Sequence, residues 1–146
     1  MVRLRSDRRY SFDEPPATVW AALIRIEQYQ SWWPWLQEFD ADSFTSGACW
    51  TATIQPPIPY SLRFGLDLQE VVVCQSVAAV IHGDIEGWAR IELSGGEEGA
   101  RLRLVSELSA SSALLRIIAD VARPVVQFGH DWVLDTGLRQ FAERAL

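Results

Sequence analysis

The chain has two histidines, and His130 is the one placed to do chemistry. It falls on an apolar stripe of the C-terminal segment, His130, Leu134, Gly137 and Phe141, with Leu138 and Ala145 beside it. Imidazole is the side chain most readily poised between acid and base near neutral pH, so a histidine within an apolar surface points to proton transfer. The same position equally suits a hydrogen-bonded, structural histidine at the edge of the stripe. Asp131 is its neighbour in sequence, but adjacent residues on a helix do not face each other. Asp131 is therefore expected to cap or to pair elsewhere, an arginine being the natural partner. His82 ends the run Val77-Ala78-Ala79-Val80-Ile81-His82, which is apolar on both strand faces, so its direction stays open.

Several aromatic residues could wall an apolar site. Tyr60 shares strand parity with Leu62, Phe64, Leu66 and Leu68, which turns its ring inward and leaves its hydroxyl in need of a partner, either a ligand or the backbone. Trp33, Trp35 and Trp50 are wall candidates too, although core packing accounts for most tryptophans. Phe128 and Leu134 sit on the C-terminal segment and complete the ligand-binding set with Tyr60, Phe64 and His82. Trp88 shares parity with Arg90 and Glu92, which puts its inward facing in doubt. Asp84 and Glu86 lie in a turn, where exposure is the rule. Arg63, Arg101, Arg103 and Glu107 occupy the polar sides of clean strands and read as a solvated cross-strand charge surface. Cys49 and Cys74 read as free, buried thiols. No metal-ligand spacing, nucleophile triad or phosphate loop is present, so neither a metal nor a cofactor is expected.

The elements that must position these residues follow from periodicity. Residues 3–13 read as a first strand. Pro15-Pro16 then open a helix whose Val19, Trp20, Leu23 and Ile26 share one face. The aromatic segment Tyr29-Gln30-Ser31-Trp32-Trp33-Pro34 reads as a short second helix ending near Pro34. From about residue 37 to 110 the pattern is one of strands. Tyr60 to Gln69 alternates cleanly, as do residues 101–109, and Ser94-Gly95-Gly96-Glu97-Glu98-Gly99 is a hairpin signature. From about Ser112 to Leu146 the period is helical, with a kink expected at Pro124. Its first part carries the stripe Leu114, Ile118, Val121, Val125, Phe128 and Trp132. Its second carries the His130 stripe, about 180° away on an ideal helix. The helix therefore either breaks and rotates near 124–130 or is covered on both sides.

Composition narrows the partners. A 146-residue chain that is 49% hydrophobic and 22% charged is expected to be globular, as one domain. Its formal charge of −6, with 13 arginines and no lysine, is a poor match to nucleic acid. No apolar run reaches the roughly 18 residues of a membrane span, and the start lacks a signal-peptide core, so a cytoplasmic location without integral membrane association is expected. Both a monomer and a homodimer fit the sequence.

At the residue level, Phe12-Asp13-Glu14-Pro15-Pro16-Ala17-Thr18-Val19-Trp20-Ala21-Ala22-Leu23 resembles the opening of the polyketide cyclase/dehydrase-like (SRPBCC) branch of the START-like, helix-grip superfamily. So does Tyr29-Gln30-Ser31-Trp32-Trp33-Pro34-Trp35, while Gly83 to Gly87 and Arg123 to Val133 resemble bacterial members. The resemblance implies an α+β helix-grip fold: a curved antiparallel sheet of about seven strands, in the order β-α-α-β6-α, wrapped around a long C-terminal helix. It also implies a cavity between sheet and helix. Three functions remain open on this basis. One is binding of a small hydrophobic or aromatic molecule, lipid or polyketide-like. The second is a polyketide cyclase or dehydratase with His130 as acid–base. The third is a co-chaperone-like interaction module with a filled interior.

Overall fold

The computed structural model describes residues 3–146. Its frame is a seven-stranded, wholly antiparallel sheet in the order β1-β7-β6-β5-β4-β3-β2. Strand β1 (Arg3–Phe12) leads into helix α1 (Pro16–Leu23), a 3-10 turn (Ile26–Gln28) and helix α2 (Tyr29–Trp32). Strands β2 (Leu36–Asp40), β3 (Cys49–Ile54), β4 (Leu62–Val72), β5 (Ser76–Gly83), β6 (Ile85–Gly96) and β7 (Gly99–Ala110) then follow as a meander. The chain ends with helices α3 (Ala113–Val121) and α4 (Arg123–Arg144).

Local chemistry accounts for the boundaries. Pro15 is extended, as a residue before proline must be, and Pro16 starts α1 where a missing N–H costs nothing. The β6–β7 hairpin turns at Glu97-Glu98, with Gly95 and Gly99 at positive φ on either side. At Gly95 an added Cβ would lie 2.2 Å from the Gly99 carbonyl oxygen, so only glycine fits. Ser112 caps α3 by accepting the Leu115 amide at 3.2 Å.

The C-terminal segment departs from the sequence reading. It is two helices, broken at Ala122, whose φ of −131° and ψ of 51° lie outside the helical region. Pro124 begins α4 within its first turn instead of kinking a longer helix, because proline clashes with the turn before it and fits the turn it starts. The break resets the helical phase. On α3 the buried residues are Leu115 and Ala119, so most of the first stripe faces outward: Leu114 is 65% exposed, Val121 83% and Phe128 52%. On α4 the second stripe faces the sheet, with Gly137 and Phe141 buried.

One half of the concave sheet face is filled by aromatic rings. Tyr29 packs on Trp32, Trp33, Phe39 and Trp50, and Trp32 meets Phe141 edge-on with ring centroids 5.6 Å apart. Such pairs contribute about 0.5–1.5 kcal/mol each beyond the area they bury. Phe141, 1% exposed, joins this cluster to Phe12 of β1 and so seats the end of α4 on the sheet. The outer face carries a charge ladder: Arg103 chelates Asp7 at 2.9 and 2.7 Å, and Arg5 meets Glu107 at 3.0 Å. Among the described residues no helix is long and apolar enough to cross a membrane.

Candidate functional site

The other half of the concave face is hollow. Between β4–β7, the loop after β3, α3 and the first turns of α4 lies a cavity of about 190 Å³. Its floor is built from cross-strand neighbours. Ser106 and Ala89 stand side by side on β7 and β6 and both line the cavity; Ser6 on β1 and Ala79 on β5 extend this row of small side chains beyond the lining. Larger residues there would fill the space; instead Ala89, Ser106, Ser109, Ala110, Ala119 and Gly129 are all among the lining. The walls are aliphatic and aromatic: Ile54, Leu62, Phe64 and Ile81 from the sheet, Leu115 from α3, and Val126, Val133 and Leu134 from α4.

Above one side stands the loop Gln55 to Ser61, which brings Pro56, Ile58 and Tyr60 to the cavity. It is tied by one side chain. The Gln55 amide Nε2 donates to the carbonyls of Ile58 and Tyr60 at 2.8 and 3.0 Å. Gly129 lets this loop come close, since a Cβ there would lie 3.0 Å from Ile58 Cδ1. Burial pushes the Tyr60 phenol above its ordinary range.

Polar groups in the lining are few. The Ser106 hydroxyl is buried and already paired with that of Ser6 at 2.9 Å. His130 is the principal one. Its side chain is 8% exposed, and its Nδ1 lies 3.2 Å from Asp131 Oδ1. That same oxygen accepts from Arg8 Nη2 at 2.7 Å and from Gln127 Nε2 at 3.0 Å, and Arg8 also binds Asp135. Desolvation is the largest single influence on Asp131 and raises its pKa. The bonds from His130 and Gln127 together with the Arg8 charge outweigh it and hold the carboxyl below its ordinary value. Asp131 thus pairs with an arginine and also reaches the ring next to it, contrary to the expectation that the two would not meet. An acceptor fixed by two other donors can receive the Nδ1 hydrogen from its neighbour even though the two residues leave the helix in different directions.

Of the sequence-derived candidates, His130, Tyr60, Phe64 and Leu134 come together around the cavity. The other five do not. Trp33 and Trp35 belong to the filled half, where their indole N–H groups donate to the Gly137 carbonyl at 2.9 Å and to Gln140 Oε1 at 2.8 Å. Trp50 packs on Phe39 and Phe44 and donates to the Ser43 carbonyl at 2.7 Å. These bonds spend the polar edge of each ring on the fold itself. His82 faces outward on β5, exposed, with Nε2 3.3 Å from Asp67. Phe128 lies on the side of α4 opposite His130, about 200° round the helix, and is turned to solvent. Trp88 lies on the outer face, 40% exposed.

Sequence reasoning missed Arg8, Gln127 and the small-residue floor. Arg8 shares strand parity with Leu4, Ser6, Tyr10 and Phe12, and that alternation was the available signal for its inward direction. Nothing in the sequence marks Gln127.

Solved structures with this arrangement fix the architecture. A protein from Thermus thermophilus superposes with a TM-score of 0.75 at 13% identity, over 99% of this chain and 97% of its own. The START-like helix grip is the fold. A START superfamily protein from Mycobacterium smegmatis shares it with a TM-score of 0.74 at 11% identity, over 97% of this chain and 96% of its own. An aromatase/cyclase from Streptomyces sp. R1128 does so with a TM-score of 0.68 at 13% identity, over 98% and 95% of the two chains. No family model matches the sequence. No curated protein matches it either. In helix-grip terms, α4 is the gripped helix, and the cavity is the part of the grip left open beneath its first turns.

Proposed function

We propose that this chain binds a small, largely apolar molecule in the cavity between the sheet, α3 and α4. The observation that carries this reading is the hollow itself, about 190 Å³ lined almost wholly by aliphatic and aromatic side chains. A pocket of this kind gains roughly 25 cal/mol for each Å² of apolar guest surface removed from water. Its size sets the class of guest. An engineered apolar cavity of about 150 Å³ takes up benzene, so this one suits a single ring with one or two short substituents. A full-length acyl chain would overfill it. An interaction module with a solid interior is disfavoured by the same hollow.

Thermal unfolding in the presence of small substituted benzenes tests the proposal. A guest at a hundred times its Kd stabilises the native state by about 2.7 kcal/mol and raises the melting temperature accordingly. A library of such compounds that leaves both the melting temperature and the tryptophan fluorescence unchanged would refute it.

A second reading, acid–base catalysis of polyketide cyclase or dehydratase type, is favoured by the bond between His130 and Asp131, which orients an imidazole in the cavity wall. Tyr60 is the other ionisable side chain in the lining. Turnover of an aromatic or polyketide substrate should then vanish in His130→Ala, and turnover that survives removes His130 from the mechanism.

A further inference from the structure

We infer that α3 is a dimerisation element, and that its outer face packs antiparallel on the same face of a second copy of this chain. The inference does not depend on what the cavity holds. Of the nine residues of α3, only Leu115 and Ala119 are buried. Leu114, Ile117 and Val121, at spacings of three and four, form one ridge on the outward side, each more than half exposed. Val125 and Phe128, exposed on the first turns of α4, add to the apolar surface past the C-terminal end of α3. Together the five present on the order of 500 Å² of apolar surface, toward the large end of what a monomer shows to water. A standard interface buries about 800 Å² per partner, a little over half of it apolar, so this ridge supplies the apolar share of one. A nine-residue helix has little stability of its own, and two buried side chains are a slender hold on an element that walls the cavity.

The charges beside the ridge indicate what covers it. Arg116 and Asp120 border it along one flank, about 100° and 60° round the helix from Ile117, while Leu114 and Val121 lie on the other. Both charged residues are exposed, and neither has an ion-pair partner among the described residues. Arginine before aspartate is the weaker order for a pair within one helix. A two-fold axis passing beside Ile118, midway between them, sets α3 antiparallel to its copy and keeps this flank facing its own counterpart. Arg116 of each copy then meets Asp120 of the other, and two ion pairs edge an apolar seam. Such a contact is isologous and closes on itself. A bilayer is a poorer occupant. Helices that lie in a membrane surface carry several cations on their polar face, whereas α3 offers one arginine offset by one aspartate, on a chain of net charge −6.

Sedimentation velocity of the intact chain, at micromolar to submillimolar concentrations, reads the association, and circular dichroism checks the fold of each variant. The expected result for the wild type is a reversible dimer. Ile117→Asp sets like charges against each other near the axis and should leave only monomer. Asp120→Arg should raise the dimer Kd at least tenfold by facing arginine with arginine. Adding Arg116→Asp restores the cross-pairs with their signs exchanged and should bring the Kd back to within about threefold of the wild type. A wild-type chain that stays monomeric throughout overturns the inference. So does a dimer that survives Ile117→Asp, since its interface then lies elsewhere. If the charge exchange fails to rescue Asp120→Arg, the antiparallel arrangement falls even where the ridge is the interface. A monomer that pellets with phosphatidylcholine vesicles, and ceases to in Ile117→Asp, identifies a bilayer as the occupant and overturns the dimer equally.

Discussion

Filling the cavity should make the protein more stable while removing its capacity to bind. Ala119 is the position of choice, because it is 1% exposed, sits on α3 and lines the hollow. Residual cavity volume costs about 24 cal/mol per Å³, so the 190 Å³ present here sets a ceiling of about 4.6 kcal/mol on what filling can return. Ala119→Leu adds three carbons, about 2.4 kcal/mol at ~0.8 kcal/mol per buried methylene. Ordering the leucine side chain removes about 0.5–1 kcal/mol of this, which leaves a net gain near 1.5 kcal/mol. For a chain of this length that is a rise in melting temperature of about 5 °C. Scanning calorimetry reads the shift directly, and the same scans with a saturating substituted benzene should show a guest-induced increment in the wild type but not in the variant. The sign is decisive. A well-packed interior would respond to the added carbons by losing about 1–3 kcal/mol through overpacking. A fall in melting temperature would therefore show that the hollow does not exist in solution, and every functional reading built on it would go too.

Three further outcomes are expected. Phe141→Ala should cost about 3–5 kcal/mol, measured by urea denaturation, since it removes a buried ring that touches both Phe12 and Trp32. Gly137→Ala should destabilise despite alanine's better helix propensity, because the new Cβ would lie 3.3 Å from Cζ2 of Trp35. That indole is pinned by Gln140 and stacked on Trp33, so it cannot give way, and thermal melts showing a gain would mean the contact is soft. The depressed carboxyl of Asp131 contributes stability that is present above its unfolded pKa of about 3.9 and is lost as pH falls through its lower folded value. Asp131→Asn should therefore be less stable than the wild type near neutrality and lose less on acidification from pH 5 to pH 3, with equal slopes for both proteins counting against the network.

The frame of the molecule was legible because its signals are local. Alternation in β4 and β7, the Gly-Gly hairpin and the double proline before α1 each specify an element without reference to anything distant, and the resemblance supplied their order. The C-terminal segment was harder. The two out-of-phase stripes left open a break near 124–130 or cover on both sides; the break falls earlier, at Ala122, a residue with no helix-breaking character, two positions before Pro124. Reading the proline as a kink within one helix kept Phe128 among the ligand-binding candidates, whereas it is exposed.

The site was half legible, and the division has a physical cause. Strand parity says which face of the sheet a residue is on, and it put Phe64 on the cavity side; Tyr60, read as part of the same strand, lies in the loop before β4 and reaches the cavity from there. It cannot say which end of that face is filled, because filling depends on side chains contributed from elsewhere in the chain. The tryptophans looked like cavity walls by size alone, yet each of Trp33, Trp35 and Trp50 has its N–H satisfied by the protein, which commits it to the solid half. The hollow half is marked by the opposite property, smallness: a serine and an alanine in register on β7 and β6, and a glycine and an alanine on the helices above them. Alanine and serine in single strands carry no signal, and only their alignment across the sheet makes a void. The aromatic half then does for the cavity what small residues cannot. By fixing the far end of α4 through Phe141, Gly137 and Gln140, it holds the helix at a height set by indole rings, and the small-residue floor is too low to reach it. The gap, and the buried His130 at its side, is the consequence of supporting one helix at one end by the largest side chains available.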